Sequence, residues 1–327
     1  MTARVDAIEA ESHPLSVQPL VSVIMNCLNC EKYVRQAIDS VFAQTYSNWE
    51  IIFWDNVSSD GSVAIAQSYA DRRLRYFRGD STVPLGRARN LAIEMSVGEL
   101  VAFLDCDDVW LPTKLAQQVQ LFRADPNVGL VYSDTVFFND SGMNKRLYAG
   151  RTPYRGHCFE NLLNRYLISL ETAIIRRSAL SSLDQWFNEE FNAIEEYDLF
   201  VRIGLDWKID FVPEVLAKWR VHGESLTWKA PDRFSEEKKT MLNALETNPR
   251  VRTLHAHAMD RAWHAQAIGE AKTLWRGGNA TAARARIRQN PIRSVKSTVF
   301  WIVTFFPYTA IQSLWNVVSR AAVPRAT

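Results

Sequence analysis

The feature that most limits how this chain can fold is an alternation of two periodicities. Short β-branched apolar runs take turns with segments whose apolar residues recur at helical spacing. The first run is Val21-Ser22-Val23-Ile24-Met25. It is followed by "EKYVRQAIDSVFAQT", in which Val34, Ala37, Ile38, Val41 and Phe42 make one apolar face. "EIIFWD" (50–55), "LRYF" (74–77) and "ELVAFLD" (99–105) read as further strands, with "DGSVAIAQSYA" (60–70) and "GRARNLAIEMS" (86–96) as the helices between them. Strands this apolar are buried on both faces. The pattern therefore predicts an α/β fold, a mostly parallel sheet with helices on both sides.

Ligands of such sheets sit beyond the carboxyl ends of the strands. Here those ends are polar: Asn26, Asp55 and Asp105. The densest charge lies in "FLDCDDVW" (103–110), where Asp105, Asp107 and Asp108 follow a buried run. Two carboxylates two residues apart on an extended segment point to opposite sides. A turn after the strand redirects the second, so that one meets a ligand hydroxyl and the other a cation. Hard oxygen ligands of this kind suit Mg²⁺ or Mn²⁺, which bind through one or two carboxylates plus substrate phosphates. Trp110, beside the aspartates, offers a ring to stack on a sugar or an acceptor.

Further along, "PTKLAQQVQLFRA" is predicted helical and "VGLVYSD" (128–134) a strand. Residues 139–158, rich in Gly, Asn, Arg and Tyr, read as a mobile loop. "LISLETAIIRRSAL" reads as a strand running into a helix, and "EEYDLFVRIGLD" (195–206) as a helix. "KIDFVPEVLAKWRVH" reads as a pair of strands broken by Pro213. Residues 235–290 are Ala-rich and helical, with a hairpin turning at Gly277-Gly278.

Charge divides the chain. Residues 250–327 carry twelve Lys/Arg against Asp260 and Glu270, a net +10, whereas residues 1–249 carry −8. An acidic body with a basic end implies that the end meets something anionic. Residues 298–318, "TVFWIVTFFPYTAIQSLWNVV", hold no charge and contain Trp301, Tyr308 and Trp315. The segment can lie in a membrane interface, span the membrane or pack on the protein, and the flanking cations favour an anionic membrane surface. Nucleic acid is not expected, because no aromatic-interleaved binding motif accompanies Arg284, Arg286 and Arg288. Residues 1–19 read as a flexible leader with no secretory pattern. The four cysteines, Cys27, Cys30, Cys106 and Cys158, make no disulfide framework. Cys27-x-x-Cys30 lacks a second pair at zinc spacing, so these read as inert thiols in a reducing cytosol.

Seven motifs in one register carry a resemblance. They are "VSVIMNCLN" (21–29), "SVFAQTYSNWEIIFWDN" (40–56), "SSDGS" (58–62), "PLGRARNLAI" (84–93), "GELVAFLDCDD" (98–108), "EEYDLFVRI" (195–203) and "WRVHGESLT" (219–227). Together they resemble the family 2 nucleotide-sugar glycosyltransferases of the GT-A (Rossmann-like) fold. The resemblance implies a catalytic domain over 20–231; beyond it, the residues themselves read as a helical hairpin extension at 232–291 and a basic, aromatic membrane-associating helix at 292–327. It implies that Asn29, Glu31, Asp55, Arg89 and Asp105 bind the donor nucleotide, a UDP-sugar. Asp107 and His222 would hold the metal, Mn²⁺ or Mg²⁺. Glu196 would be the general base, with Glu195 as the alternative, and Asp198 would hold local structure. The implied reaction is inverting transfer of a hexosyl-type sugar to a glycan or lipid-linked acceptor in cell-surface polysaccharide synthesis. Its implied place is the cytoplasm, peripheral to the inner face of the cell membrane.

The sequence departs from the family's usual pattern in two loops. Asp55-Asn56-Val57-Ser58 stands for Asp-Asp-Gly-Ser, and Asn26-Cys27-Leu28-Asn29 for Pro-Thr-Tyr-Asn. One rival is a non-catalytic module that binds nucleotide or partner. Another is a nucleotidyltransferase, which would need a Gly-rich phosphate loop that "NCLNCEK" does not supply.

Overall fold

A computed structural model describes residues 14–223, 231–289, 295–309 and 311. Residues 1–13 of the expected leader, 224–227 of the last motif, and 292–294, 310 and 312–327 of the expected membrane-associating segment lie outside them. The chain divides into two compact units, residues 1–231 and 232–327.

The first unit begins as the alternation dictates. Strands β1 (Val21–Cys27), β2 (Trp49–Asp55), β3 (Leu74–Arg78) and β4 (Leu100–Phe103) are separated by helices α1 (Val34–Phe42), α2 (Ser62–Gln67) and α3 (Leu85–Glu94). They pair in parallel in the order β3-β2-β1-β4, and β2 is buried along its whole length. The buried face of α1 is Val34, Ala37, Ile38 and Val41, the spacing read from the sequence.

Then come β5 (Val109–Trp110), α4 (Lys114–Ala124), β6 (Val128–Phe138), β7 (Asn144–Arg146), α5 (Phe159–Asn164), β8 (Ile174–Arg176), α6 (Arg177–Ser181), α7 (Glu195–Asp206) and β9 (Lys208–Arg220). They extend the sheet beyond β4 in the order β8-β6-β9-β5, with β7 hairpinned on β6. Strand β8 runs antiparallel to both neighbours, so β6 and β9 point the same way as β1, β2 and β4. Their carboxyl ends therefore share one edge. Strand β5 runs back along β9 with Val109 beside Lys218, and that pairing carries the aspartate turn to the end of β9.

Two expectations change. Residues 208–220 form one strand, not a broken pair. The register against β6 shifts between Ser133–Val212 and Asp134–Val215, and this bulge absorbs Pro213 and Glu214. Within 139–158, expected as a mobile loop, β7 forms and several residues are tied to the domain. Tyr148 and Cys158 are buried, the Tyr154 N–H donates to the Tyr132 hydroxyl at 2.7 Å, and Gly156 bridges Ile209. Tyr132, Tyr148 and Phe211 pack their rings together beneath it. Of the expected leader, residues 14–19 lie against the domain. Ser16 N–H donates to Glu99 at 2.8 Å, and the Tyr46 hydroxyl donates to Pro19 O at 2.6 Å.

The second unit is helical: α8 (Pro231–Thr247), α9 (Pro249–Leu254), α10 (Ala256–Arg276), α11 (Ala280–Arg288) and α12 (Val295–Val303). Helices α10 and α11 turn at Gly278, whose φ of +84° suits glycine, and Asn279 caps α11 by accepting from Ala282 N–H at 3.0 Å. Phe300, Trp301 and Val303 of α12 pack on Ala271, Trp275, Ala283 and Ile287. Among the described residues no helix is long and apolar enough to cross a membrane.

Candidate active site

The carboxyl edge of the sheet gathers the polar strand ends. After β4 the chain turns, with Asp108 N–H donating to Asp105 O at 3.0 Å. The turn leaves the Asp105 and Asp107 side chains partly exposed and buries Asp108. Asp108 accepts the Arg220 backbone N–H at 2.8 Å. Asp107 Oδ2 lies 2.8 Å from His222 Nε2, and the Tyr33 ring sits 5.2 Å from the imidazole. Burial, and next the charge of Asp105, push the Asp107 carboxyl above its ordinary range, while the bond to His222 opposes them.

Arg89 joins this turn to the start of α7. Its guanidinium donates to Asp105 Oδ1 at 3.0 Å and to the Glu195 carboxylate. Burial works against its charge, but Asp105 and Glu195 outweigh burial and raise the pKa above the usual guanidinium range. Glu195 is thereby committed to a buried ion pair. The next residue, Glu196, is half-buried and accepts from the Tyr166 hydroxyl at 3.3 Å. Burial, and then the neighbouring Glu195, raise its pKa to about 8 against the pull of Arg89. A carboxylate poised near neutral pH is suited to take a proton in catalysis. Asp198 pairs with Arg202 at 2.7 Å one turn along α7.

The remaining sequence-derived residues are placed differently from one another. Asn29 and Glu31 stand exposed after β1 and stitch two loops. Asn29 Oδ1 accepts from Ser59 N–H at 2.8 Å, and Glu31 accepts from Gly61 N–H at 2.9 Å. A Cβ on Gly61 would lie 2.6 Å from the Glu31 carboxyl carbon, so a side chain there would push the carboxylate aside. Asp55 is not open to a nucleobase here. Its fully buried carboxylate already accepts from Ser58 N–H at 2.7 Å, Arg78 at 2.8 Å and the Tyr76 hydroxyl at 3.0 Å. Arg89 likewise faces carboxylates rather than a free phosphate position. Trp110 is corrected outright. At 2% exposure it belongs to the core, with its indole N–H donating to Glu171 O at 2.8 Å, and it offers no face to a sugar.

Two positioning residues escaped the sequence reading. Arg220 donates to Asp107 O at 2.8 Å and to Gln36 at 2.5 Å, and its guanidinium lies 4.4 Å from the ring centres of both Tyr33 and Phe138. Its signal was its place two residues before His222 in "WRVHGESLT". Tyr166 had no sequence signal, because its stack on Tyr197 at 4.5 Å exists only after folding.

Val57 occupies the position where the resembled pattern has glycine, and its φ is +69°. A β-branched residue in that left-handed region is strained by roughly 1–2 kcal/mol. Val57→Gly relieves the strain but adds freedom to the unfolded chain. The expected net is stabilisation of about 0.5–1 kcal/mol, read as a rise of a few degrees in Tm. A lower Tm would show that side-chain packing at Val57 outweighs its backbone strain.

Asp107 and His222 fit a divalent cation of the Mg²⁺ or Mn²⁺ kind. They supply one carboxylate and one imidazole, beside a second carboxylate whose charge a cation would offset. Among the described residues no group of three or more His, Cys, Asp or Glu is arranged to hold a metal. The site accordingly suits a cation whose remaining ligands are substrate phosphates and water.

The glycosyl transferase family 2 profile matches residues 22–183. A UDP-Glc:alpha-D-GlcNAc-diphosphoundecaprenol beta-1,3-glucosyltransferase of Escherichia coli is 27% identical over 237 residues, covering 71% of this chain and 89% of that protein. S. aureus TarS 1–349 in complex with UDP-GlcNAc superposes with a TM-score of 0.65 at 18% identity, over 83% of this chain and 81% of that one. The mannosyltransferase PcManGT from Pyrobaculum calidifontis, in complex with GDP-Man and Mn²⁺, gives 0.59 at 19% identity over 94% and 90%. The fold is GT-A, and the chain belongs to glycosyl transferase family 2 and is a glycosyltransferase.

Proposed function

We propose that this chain transfers a sugar, with inversion, from a UDP-sugar to a lipid-linked acceptor at the inner face of the cell membrane, in cell-surface polysaccharide synthesis. One observation carries the reading. The Asp107–His222 pair and the base candidate Glu196 share one sheet edge, and Arg89 links the two halves through Asp105 and Glu195. The E. coli relative, named for UDP-Glc and a diphosphoundecaprenol acceptor, supports the donor and acceptor classes.

The residues divide the work. Glu196 takes the proton of the acceptor hydroxyl. The freed oxygen attacks the anomeric carbon from the side opposite the diphosphate, whose C–O bond breaks as the new one forms. One displacement inverts that carbon, and Glu196 returns its proton to solvent. Asn29 and Glu31 would contact the nucleoside, and Asp105 would accept from ribose. A divalent cation held by Asp107 and His222 would stabilise charge on the departing diphosphate. Tyr166 aims the base, and Arg220 fixes the Asp107 backbone. The test is calorimetric binding of UDP, GDP and dTDP with and without Mn²⁺ or Mg²⁺. UDP is expected to bind, and only with metal. No binding by any of the three would sink the donor assignment.

The second unit supports the membrane part. Val299, Ile302, Phe305 and Phe306 are exposed, Arg284 lies 4.6 Å over Phe305, and Arg288 lies 5.3 Å over Trp301. Apolar rings among cations are the composition of an anionic lipid interface. The full chain should co-sediment with phosphatidylglycerol vesicles and less with phosphatidylcholine. Phe305→Ser with Phe306→Ser should weaken that by about tenfold or more, since a buried Phe contributes roughly 1.5–3 kcal/mol. Unchanged sedimentation of the double variant would reject this face as the anchor.

A further inference from the structure

The Asp107–His222 pair is flanked by cations. The Tyr33 ring, which packs on His222, has Lys32 Nζ 4.8 Å from its centre and the Arg220 guanidinium 4.4 Å from it. Lys32 and Tyr33 lie in the loop between β1 and α1, and Arg220 ends β9. They meet because β1 and β9 point the same way in one sheet, so that their carboxyl ends share an edge.

Arg220 is a buried cation without a firm anion. Its side chain is 6% exposed. Two of its three nitrogens meet neutral oxygens: Nε donates to Asp107 O at 2.8 Å and Nη2 to Gln36 Oε1 at 2.5 Å. Nη1 makes no hydrogen bond among the described residues. It stands 3.6 Å from Asp140 Oδ1, beyond hydrogen-bond length. A desolvated guanidinium is stabilised by an anion that reaches it fully.

Asp140 is a loose partner. It sits at the tip of the β6–β7 hairpin, where Asn139 Oδ1 holds the turn by accepting from Ser141 N–H at 3.0 Å and Met143 N–H at 2.9 Å. The Asp140 side chain is 70% exposed, and its Oδ2 accepts from Lys32 Nζ at 3.4 Å, a lysine 68% exposed. Exposed pairs of this length contribute little. Releasing Asp140 needs only a rotation of its side chain, because Asn139 keeps the turn. One carboxylate thus spans a lysine and an arginine with its two oxygens, as a phosphate would.

We propose that Lys32 and Nη1 of Arg220 are a seat for the donor's diphosphate, and that Asp140 is a built-in competitor holding that seat until the donor arrives. That the anion is the donor's diphosphate rests on the nucleotide reading above; the anion seat itself does not. Arg220 is bonded to the Asp107 backbone, so the seat and the cation-binding pair keep a fixed spacing. A divalent cation would meet one side of the diphosphate, and Lys32 with Arg220 the other. Competition also selects. A singly charged anion gains nothing by replacing Asp140, whereas a diphosphate brings more charge and more acceptor oxygens.

The experiment is calorimetry on the full chain with Mn²⁺, using UDP and inorganic pyrophosphate as ligands. It compares wild type with Lys32→Ala, Lys32→Arg and Asp140→Ala, and an unchanged Tm checks that each variant folds. Lys32→Ala should bind both ligands about tenfold more weakly, as expected for a lost hydrogen bond to a charged group. Lys32→Arg should recover most of that loss. Asp140→Ala should bind both about two- to fivefold more tightly, the range of an exposed ion pair. A purely structural role for Asp140 would not tighten binding. Equal or weaker binding in Asp140→Ala overturns the competitor, and unchanged binding in Lys32→Ala overturns the seat. If UDP binds with metal and neither substitution alters it, the donor assignment stands and the proposal falls. If pyrophosphate follows the expected pattern and UDP binds no more tightly than pyrophosphate, the seat stands and the donor assignment falls.

Discussion

Glu196→Gln abolishes sugar transfer and leaves UDP binding with Mn²⁺ intact. The expectation rests on the contrast between two consecutive glutamates at the start of α7. Glu195 is buried and ion-paired with Arg89, so it is already spent on structure. Glu196 is half-buried, touches the Tyr166 hydroxyl, and has a pKa raised to about 8, first by burial and then by Glu195. A positioned base contributes about 10²–10⁴-fold to a rate. A glutamine keeps the shape and the contact to Tyr166 but takes no proton, so the loss should fall on kcat. Glu195→Gln should behave differently. It leaves Arg89 partly unpaired in the interior, which costs about 3–5 kcal/mol when a buried pair is broken, and should appear first as a lower Tm.

The pH dependence has a fixed sign. The base works only when deprotonated, so kcat/KM should rise with pH, reach half its maximum near pH 8 and level off above it, well above the range of an ordinary carboxylate. The rise should be absent from any residual activity of Glu196→Gln. Retained turnover in that variant would reject Glu196 as the base.

The second large effect is at Asp107. Asp107→Ala should remove metal-dependent UDP binding, by about a hundredfold or more, while the fold persists. Its carboxylate faces the site's edge beside His222, and the turn is held instead by Asp108, Arg220 and backbone bonds. A divalent cation contributes several kcal/mol where charge collects on phosphate oxygens. Asp107→Asn separates charge from geometry, because the amide can still meet His222 but attracts a cation far less. Calorimetry with and without Mn²⁺ decides it. Equal UDP affinity in wild type and Asp107→Ala, whatever the metal, would leave a donor site that works without a cation at this pair.

Some of this was legible in the primary structure because it is local. Two-residue and helical periods are properties of neighbouring side chains, so β1 to β4 and their helices could be read directly. So could the rule that ligands meet polar strand ends, which singled out Asp105 and Asp107. Where local signals misled, a distant strand had intervened. Pro213 looked like a break until pairing with β6 supplied a bulge to hold it. Trp110 looked available beside the aspartates until β5 paired with β9 and turned its ring into the core. Asp55 looked like a ligand until Tyr76 and Arg78, delivered by β3, occupied its oxygens.

The sequence by itself determined the class of fold, the edge on which chemistry gathers, and the types of group found there, because each depends on side chains close together along the chain. Tertiary structure alone decided which groups meet. His222 reaches Asp107 because β5 runs antiparallel to β9. Arg89 reaches Glu195 because α3 and α7 converge on one sheet end. Burial then divided the glutamates, giving one to an ion pair and leaving the other protonatable near neutral pH, since desolvation depends on the packed surroundings and not on the residue's neighbours in sequence.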